Sequence, residues 1–207
     1  MAQYPKDEVR DRIVDAALAV FAEEGYGAAT IARIAAAAGV STGNVYRYFE
    51  NKRALFDAAL PEAFPRQLLA LVRARVEALQ GVDDVRTLGP EARYRAISEE
   101  LLRFAIENRL RVVLLLGKAD GTEYERYPDT IMRELVRQAL AWAASIRAPA
   151  PSAAAHFALE QIYRNFVEAL ARILARYQRE ASIREAVEAL STYHLAGLRA
   201  FFLEEAK

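Results

Sequence analysis

The 207-residue chain contains no cysteine, two histidines (His156 and His194), two methionines and one tryptophan. The missing cysteines exclude disulfides, thiolate metal sites and a thiol nucleophile, and two isolated histidines do not make a dedicated metal centre. Neither a metal nor a cofactor is expected. No apolar run approaches the roughly 20 residues that span a bilayer, and the opening MAQYPKDEVRDR is too charged for a secretory signal. A soluble, cytoplasmic protein without a membrane partner is therefore expected. Net charge is also missing, because 28 Lys and Arg balance 28 Asp and Glu. This excludes a protein that coats nucleic acid through bulk electrostatics alone. No general acid and base pair, phosphate-cradling glycine loop or nucleophile with a placed histidine is visible, so no catalysis is expected.

What is present is a chain of 54% apolar composition, enough to bury a proper core. Its pattern divides into residues 1–60 and 61–207. Over residues 25–60 the bases Arg33, Arg47, Lys52 and Arg53 outnumber the acids Glu50 and Asp57, although residues 1–60 as a whole carry one more acid than base. Any DNA contact must then be local and selected by geometry.

Asp7 to Glu24 places Ile13, Ala16, Ala17, Val20 and Phe21 at the spacing of a helix with one buried face, and Gly25 ends it. Thr30 caps a short helix, Ile31 to Ala38, which Gly39 stops. Val40 plugs the corner, Ser41 caps a third helix over Thr42 to Phe49, and Val45 with Phe49 give that helix one buried edge. The order is helix, short helix, glycine turn, short helix, a helix-turn-helix with a leading support helix. Asn51 is the expected cap of a fourth helix.

The third helix is well suited to DNA. Ser41, Thr42, Gly43 and Asn44 form its first turn, where short polar side chains and backbone amides suit phosphates and base edges. Gly43 permits close backbone approach. Tyr46 and Arg47 fall on the exposed side, and Asn44 and Arg47 are suited to adenine and guanine edges. Lys52 and Arg53 follow, placed for phosphates. Solvated caps remain the alternative for Thr42 and Asn44, a small packed core for Tyr46 and Tyr48, and a plain exposed side chain for Arg47.

The run TIARIAAAAGVSTGNVYRYFENKRALF, Thr30 to Phe56, resembles without gaps the DNA-binding signature of the tetracycline-repressor (TetR) family of bacterial regulators. The resemblance extends over about residues 8 to 58. It implies that Tyr46, Tyr48 and Lys52 contact DNA backbone or base edges and that Thr30 binds phosphate.

Beyond this motif only helix layout can be read. Pro61 and Pro65 predict a break or bend between Leu60 and Pro65, with a helix from Pro65 to Gln80. A polar loop over 81–90 precedes a helix from Glu91 to Glu107. Val112 to Leu116 fits either a buried strand or a short central helix, and its helical flanks favour the helix. Residues 117–128 form the longest irregular stretch, Asp129 caps a helix to about Ile146, and APAPS makes a stiff connection. Two long helices, Ser152 to Gln178 and Ile183 to Glu205, carry apolar residues on more than one stripe. That width implies burial in the monomer and against a partner.

The fold class is all-α: an N-terminal three-helix helix-turn-helix DNA-binding head joined to a C-terminal helical ligand-binding and dimerisation bundle. The resemblance implies a homodimer, with Phe157, Tyr163, Val167, Leu174, Leu190, Gly197 and Phe201 as interface candidates. It also implies a body pocket for a small-molecule effector. Tyr94, Phe104, Met132, Trp142, Tyr163 and Phe166 are candidate lining, and Arg103, Asn108, Asn165 or His156 candidate orienting groups; plain core or solvated surface is the alternative for each. The expected function is a ligand-responsive transcriptional repressor on a palindromic double-stranded DNA operator. A regulator without a small-molecule ligand, or a helical protein-interaction module, remains open.

Overall fold

The computed structural model describes residues 6–79, 82, 88–89 and 91–203, and the secondary structure among them is entirely helical. The helices are α1 (Lys6–Glu24), α2 (Ile31–Ala38), α3 (Thr42–Tyr46), α4 (Lys52–Ala59), α5 (Ala63–Glu77), α6 (Arg93–Glu107), α7 (Arg109–Gly117), α8 (Tyr127–Ser145), α9 (Ala153–Arg176) and α10 (Glu180–Leu203). The expected loop over 81–90 and the expected end of the last helix at Glu205 lie largely outside the described residues.

Short side chains set the helix starts. Thr30, Ser41, Asn51 and Ser152 are extended and accept hydrogen bonds from the backbone amides of Arg33, Asn44, Ala54 and Ala155. Each such cap contributes about 1 kcal/mol. Gly39 ends α2 in the left-handed conformation at φ 65°. A residue with a Cβ would be strained there.

The head is built from α1 to α4 around Ile13, Phe21, Ile34, Val45, Leu55 and Phe56, all essentially inaccessible. Phe56 makes edge contacts with both Phe21 and Tyr26, at centroid distances of 5.6 and 5.0 Å. In the body, α7 is the central element, packed between α1, α8 and α9. Its run Val112 to Leu115 is buried, which resolves the strand-or-helix ambiguity: an apolar run is helical here because it is surrounded on all sides.

Three expected boundaries move. The third helix ends at Tyr46 rather than Phe49, because the chain tightens and the Tyr48 and Phe49 amides both bond Val45 O at 3.0 Å, turning Phe49 into the core. The break after α4 falls at Leu60 to Glu62, inside the expected span, but α5 starts at Ala63 rather than Pro65, and Pro65 lies in its first turn, where its missing N–H removes no helical bond. The eighth helix begins at Tyr127, with Pro128 in its first turn, so Asp129 is not its cap. Asp129 instead accepts from Arg164 at 2.6 Å, tying α8 to α9.

Candidate functional site

Two regions bring predicted residues together: the outer face of the head and a cavity in the body. On the head, Val45 is fully buried and Phe49 nearly so, which fixes the rotation of α3. Ser41, Thr42, Gly43, Tyr46 and Arg47 are then exposed and Asn44 half-exposed. Tyr46 presents 56% of its surface to solvent, a high exposure for a large aromatic side chain. Arg47 donates to the Asn44 side chain at 3.3 Å, so the two candidate base readers form one polar unit. Tyr48 is half-buried against the head core and is less available than Tyr46.

Three further head cations, Arg33, Arg53 and Lys52, are engaged within the protein. Arg33 pairs with Glu24 at 2.8 Å, and Arg53 pairs with Asp57 and with Glu123 of the body. Lys52 departs most from expectation. Its ammonium donates to the carbonyls of Tyr26, Ala29 and Gly27 at 2.7, 3.1 and 3.4 Å and lies over the Tyr26 ring. All three of its donors are accounted for by the α1–α2 loop, so a phosphate contact would compete with this tie. Thr30 is exposed, with its hydroxyl capping α2.

Head and body are joined by polar and aromatic contacts. The Tyr26 amide donates to Lys118 O at 2.9 Å, and Arg111 donates to Ala59 O at 3.0 Å. Phe64, at the start of α5, stacks on Phe104 of α6 at 5.2 Å. Tyr127 donates to Pro65 O at 2.6 Å, and its burial raises the phenol well above its ordinary pKa.

Between α5, α6, α8, α9 and α10 lies a cavity of about 1080 Å³. Of the ligand candidates, Tyr94, Trp142, Tyr163 and Phe166 line it. Arg103, Phe104 and Met132 do not: Arg103 is exposed on α6, Phe104 is engaged by Phe64, and Met132 is buried in the core. Asn108 is occupied by Phe104 O and Arg111, Asn165 is exposed, and His156 sits 3.6 Å from Glu160 on the surface. Arg75, Ser98, Glu99 and Arg184 are polar lining that periodicity did not reveal. On an isolated α5, Arg75 reads as a solvent-facing charge. Only packing against α6 turns it inward, where it donates to Tyr94 Oη at 2.6 Å and Ser98 Oγ at 3.1 Å.

The two long helices also sort differently than expected. Tyr163, Val167 and Leu174 are buried within the monomer and cannot form an outer face, because α9 turns this stripe towards α7 and α8. Leu190 and Phe201 are half-buried. The outward apolar residues include Phe157 at 62%, Ile162 at 38%, Tyr193 at 81% and, at the end of α9, Tyr177 at 41% exposure, and Gly197 is also exposed. Tyr193 was not predicted. It lies off the main apolar stripe of α10, and only its exposure in the fold marks it.

Residues 13–59, the span of this head, match the family described as bacterial regulatory proteins, tetR family. The head belongs to the TetR family. The HTH-type transcriptional regulator SrpR of Pseudomonas putida is 46% identical over 54 residues, 26% of this chain and 25% of SrpR. The HTH-type transcriptional repressor BepR of Brucella suis biovar 1 is 38% identical over 71 residues, 34% of each chain. BetI of Yersinia pestis is 38% identical over 90 residues, 44% of this chain and 42% of BetI. The chain thus spans less than half the length of the curated relatives it matches. A TetR-like transcriptional regulator from Rhodococcus sp. RHA1 has the same fold over 94% of this chain and all of its own, with a TM-score of 0.51 and 22% identity. Among the described residues, no helix is long and apolar enough to cross a membrane.

Proposed function

We propose that this chain is a ligand-responsive transcriptional repressor, acting in the cytoplasm as a homodimer on a palindromic operator. The observation that carries the reading is the face of α3. Buried Val45 and Phe49 present Thr42, Gly43, Asn44, Tyr46 and Arg47 together, where a major groove would meet them. Residues 1–60 are the reading head and residues 61–207 the sensing and dimerising body. A neutral chain gains affinity from two heads rather than from bulk charge.

The dimer reading is supported by the exposed apolar side chains Phe157, Ile162 and Tyr193 beside Gly197 on α9 and α10. The effector reading is supported by the cavity and by its neighbours in sequence. Leu101 and Ala105 line the cavity, while Phe104 between them stacks on Phe64 in the first turn of α5. An effector that shifts α6 would move the start of α5 and, through Arg111 and Lys118, the head. Differential affinity of the effector for two head spacings supplies the switch.

The test is a mobility-shift titration of the full chain against the DNA upstream of its own gene and of neighbouring genes, at two salt concentrations. Sequence-preferring, salt-dependent binding at a site with two half-sites about one helical turn apart is expected. Equal binding to random duplex of the same length, or none at all, would overturn the reading.

A further inference from the structure

The cavity has a chemical polarity that bears on its occupant. Most of its wall is aliphatic or aromatic, but its charged lining is Arg75, Arg95, Arg184 and Arg199 against Glu99 and Glu188. Arg184 is neutralised locally: it grips Glu99 through two bonds of 2.7 Å and Glu180 through one of 2.8 Å. Arg95 is exposed and donates to Leu88 O at 3.0 Å.

Arg75 is different. It is half-buried on the wall, and among the described residues its hydrogen-bond partners are two hydroxyls, Tyr94 at 2.6 Å and Ser98 at 3.1 Å, with no carboxylate. A guanidinium carries five N–H donors, and these contacts leave about three unspent. Tyr94 and Ser98 accept from Arg75, so each keeps its own O–H to donate. This part of the wall therefore offers donors. A partly buried cation without a counter-ion is costly, which an incoming anion would relieve.

A second unfilled group lies nearby. His194 Nε2 is buried without a hydrogen-bond partner among the described residues. Its ring stacks on Phe166 at 4.1 Å and meets Tyr163 edge-on at 4.8 Å, and both of those residues line the cavity.

We propose that the cavity binds an organic carboxylate with a large apolar body, its carboxylate taken bidentately by Arg75 between Tyr94 and Ser98. A carboxylate is acceptor-only and matches the donors that Arg75, Tyr94 and Ser98 present. The apolar body occupies the wall formed by Val72, Leu135, Trp142 and Phe166. A cavity of about 1080 Å³ is at the upper end for small-molecule sites, which favours a body of roughly ten or more carbons over a small metabolite acid. This rests on the reading of the cavity as the effector site and gives that site its ligand class.

Trp142, the chain's single tryptophan, lines the cavity and reports on it directly. The experiment titrates the full chain with dodecanoate, dodecanol and dodecyltrimethylammonium below their micellar concentrations, following Trp142 fluorescence and confirming by calorimetry. Dodecanoate should bind at least tenfold more tightly than either other probe. Arg75→Gln should reduce dodecanoate to the affinity of dodecanol, and Arg75→Lys should keep part of the preference. If Arg75→Gln fails to fold by circular dichroism, Ser98→Ala and the probe series on the unaltered chain carry the test. Equal binding of all three probes, or preference for the cation, overturns the carboxylate and leaves the effector cavity standing. Absence of binding by every probe overturns both.

Discussion

Lys52 donates from Nζ to the Tyr26 carbonyl at 2.7 Å while the same ammonium sits 4.4 Å from the centre of the Tyr26 ring. One side chain thus fixes both the path of the α1–α2 loop and the aromatic cluster behind it. Hydrogen bonds from a charged donor contribute about 1.5–3 kcal/mol each in the favourable case, and this donor has several acceptors. Lys52→Met is therefore expected to lower thermal stability by about 2 kcal/mol. If Lys52 acts through the loop, the variant weakens DNA binding with little change in its salt dependence. A direct phosphate contact would instead lower the logarithmic salt slope by about 1. Thermal unfolding together with affinity at several salt concentrations separates the two roles.

Val45 and Tyr46 are neighbours in α3 with opposite environments, one fully buried and the other 56% exposed. Tyr46→Ala and Arg47→Ala should change stability by less than about 0.5 kcal/mol yet abolish operator binding at concentrations where the unaltered chain is saturated. Val45→Ala should cost about 2 kcal/mol through lost burial and the cavity left behind. Urea unfolding and mobility shift on the three variants check the division. A Tyr46→Ala chain that binds the operator normally would remove α3 from the interface.

The head could be read closely from sequence because its signals are local. Thr30, Ser41 and Asn51 cap helices at fixed offsets, Gly39 takes the left-handed turn, and Val45 and Phe49 fall four apart on one edge. The role of Lys52 could not be read, because its partners Tyr26, Gly27 and Ala29 lie more than twenty residues away. The cavity was harder for the same reason. Arg75 faces Tyr94 and Ser98 only once α5 and α6 pack. On α9, both stripes are apolar, so periodicity could not tell that Tyr163 and Val167 turn inward while Phe157 and Ile162 turn out.

Burial, with a smaller contribution from the charge of Arg75, pushes the His194 imidazole down to about 4. In the unfolded chain it takes up a proton near its ordinary value of about 6.5. Between these values the unfolded state binds more protons than the folded one, so stability is full above about pH 6.5 and declines as pH falls towards 4. The expected loss between pH 7 and pH 5 is about 2 kcal/mol. Glu134 does not confuse this window. Its burial opposes ionisation, but hydrogen bonds from Arg137, Gln138 and Arg73 hold it at about 2, so its contribution is lost only at lower pH. Denaturant midpoints at pH 7 and pH 5 should converge in His194→Phe, which keeps an aromatic ring against Phe166.

Gly197 and Tyr193 allow the proposed dimer face to be tested without disturbing the monomer. Tyr193 is 81% exposed, and a Cβ built on Gly197 meets nothing within 4 Å. Replacing Gly197 by Leu inside α10 removes a poor helix former, so the monomer should gain up to about 1 kcal/mol. The same side chain would stand between two helices that must approach closely, and overpacking at a buried contact costs about 1–3 kcal/mol. In a symmetric dimer each substitution occurs twice in one interface. Gly197→Leu and Tyr193→Arg should therefore each give a monomer in sedimentation velocity at micromolar concentration, with helical content unchanged. Tyr163→Ala provides the contrast: with its side chain buried in the monomer, it should lower stability by about 3–5 kcal/mol. If both surface variants stay dimeric, the partner sits on another face, and the exposed aromatics of α9 and α10 require a different occupant.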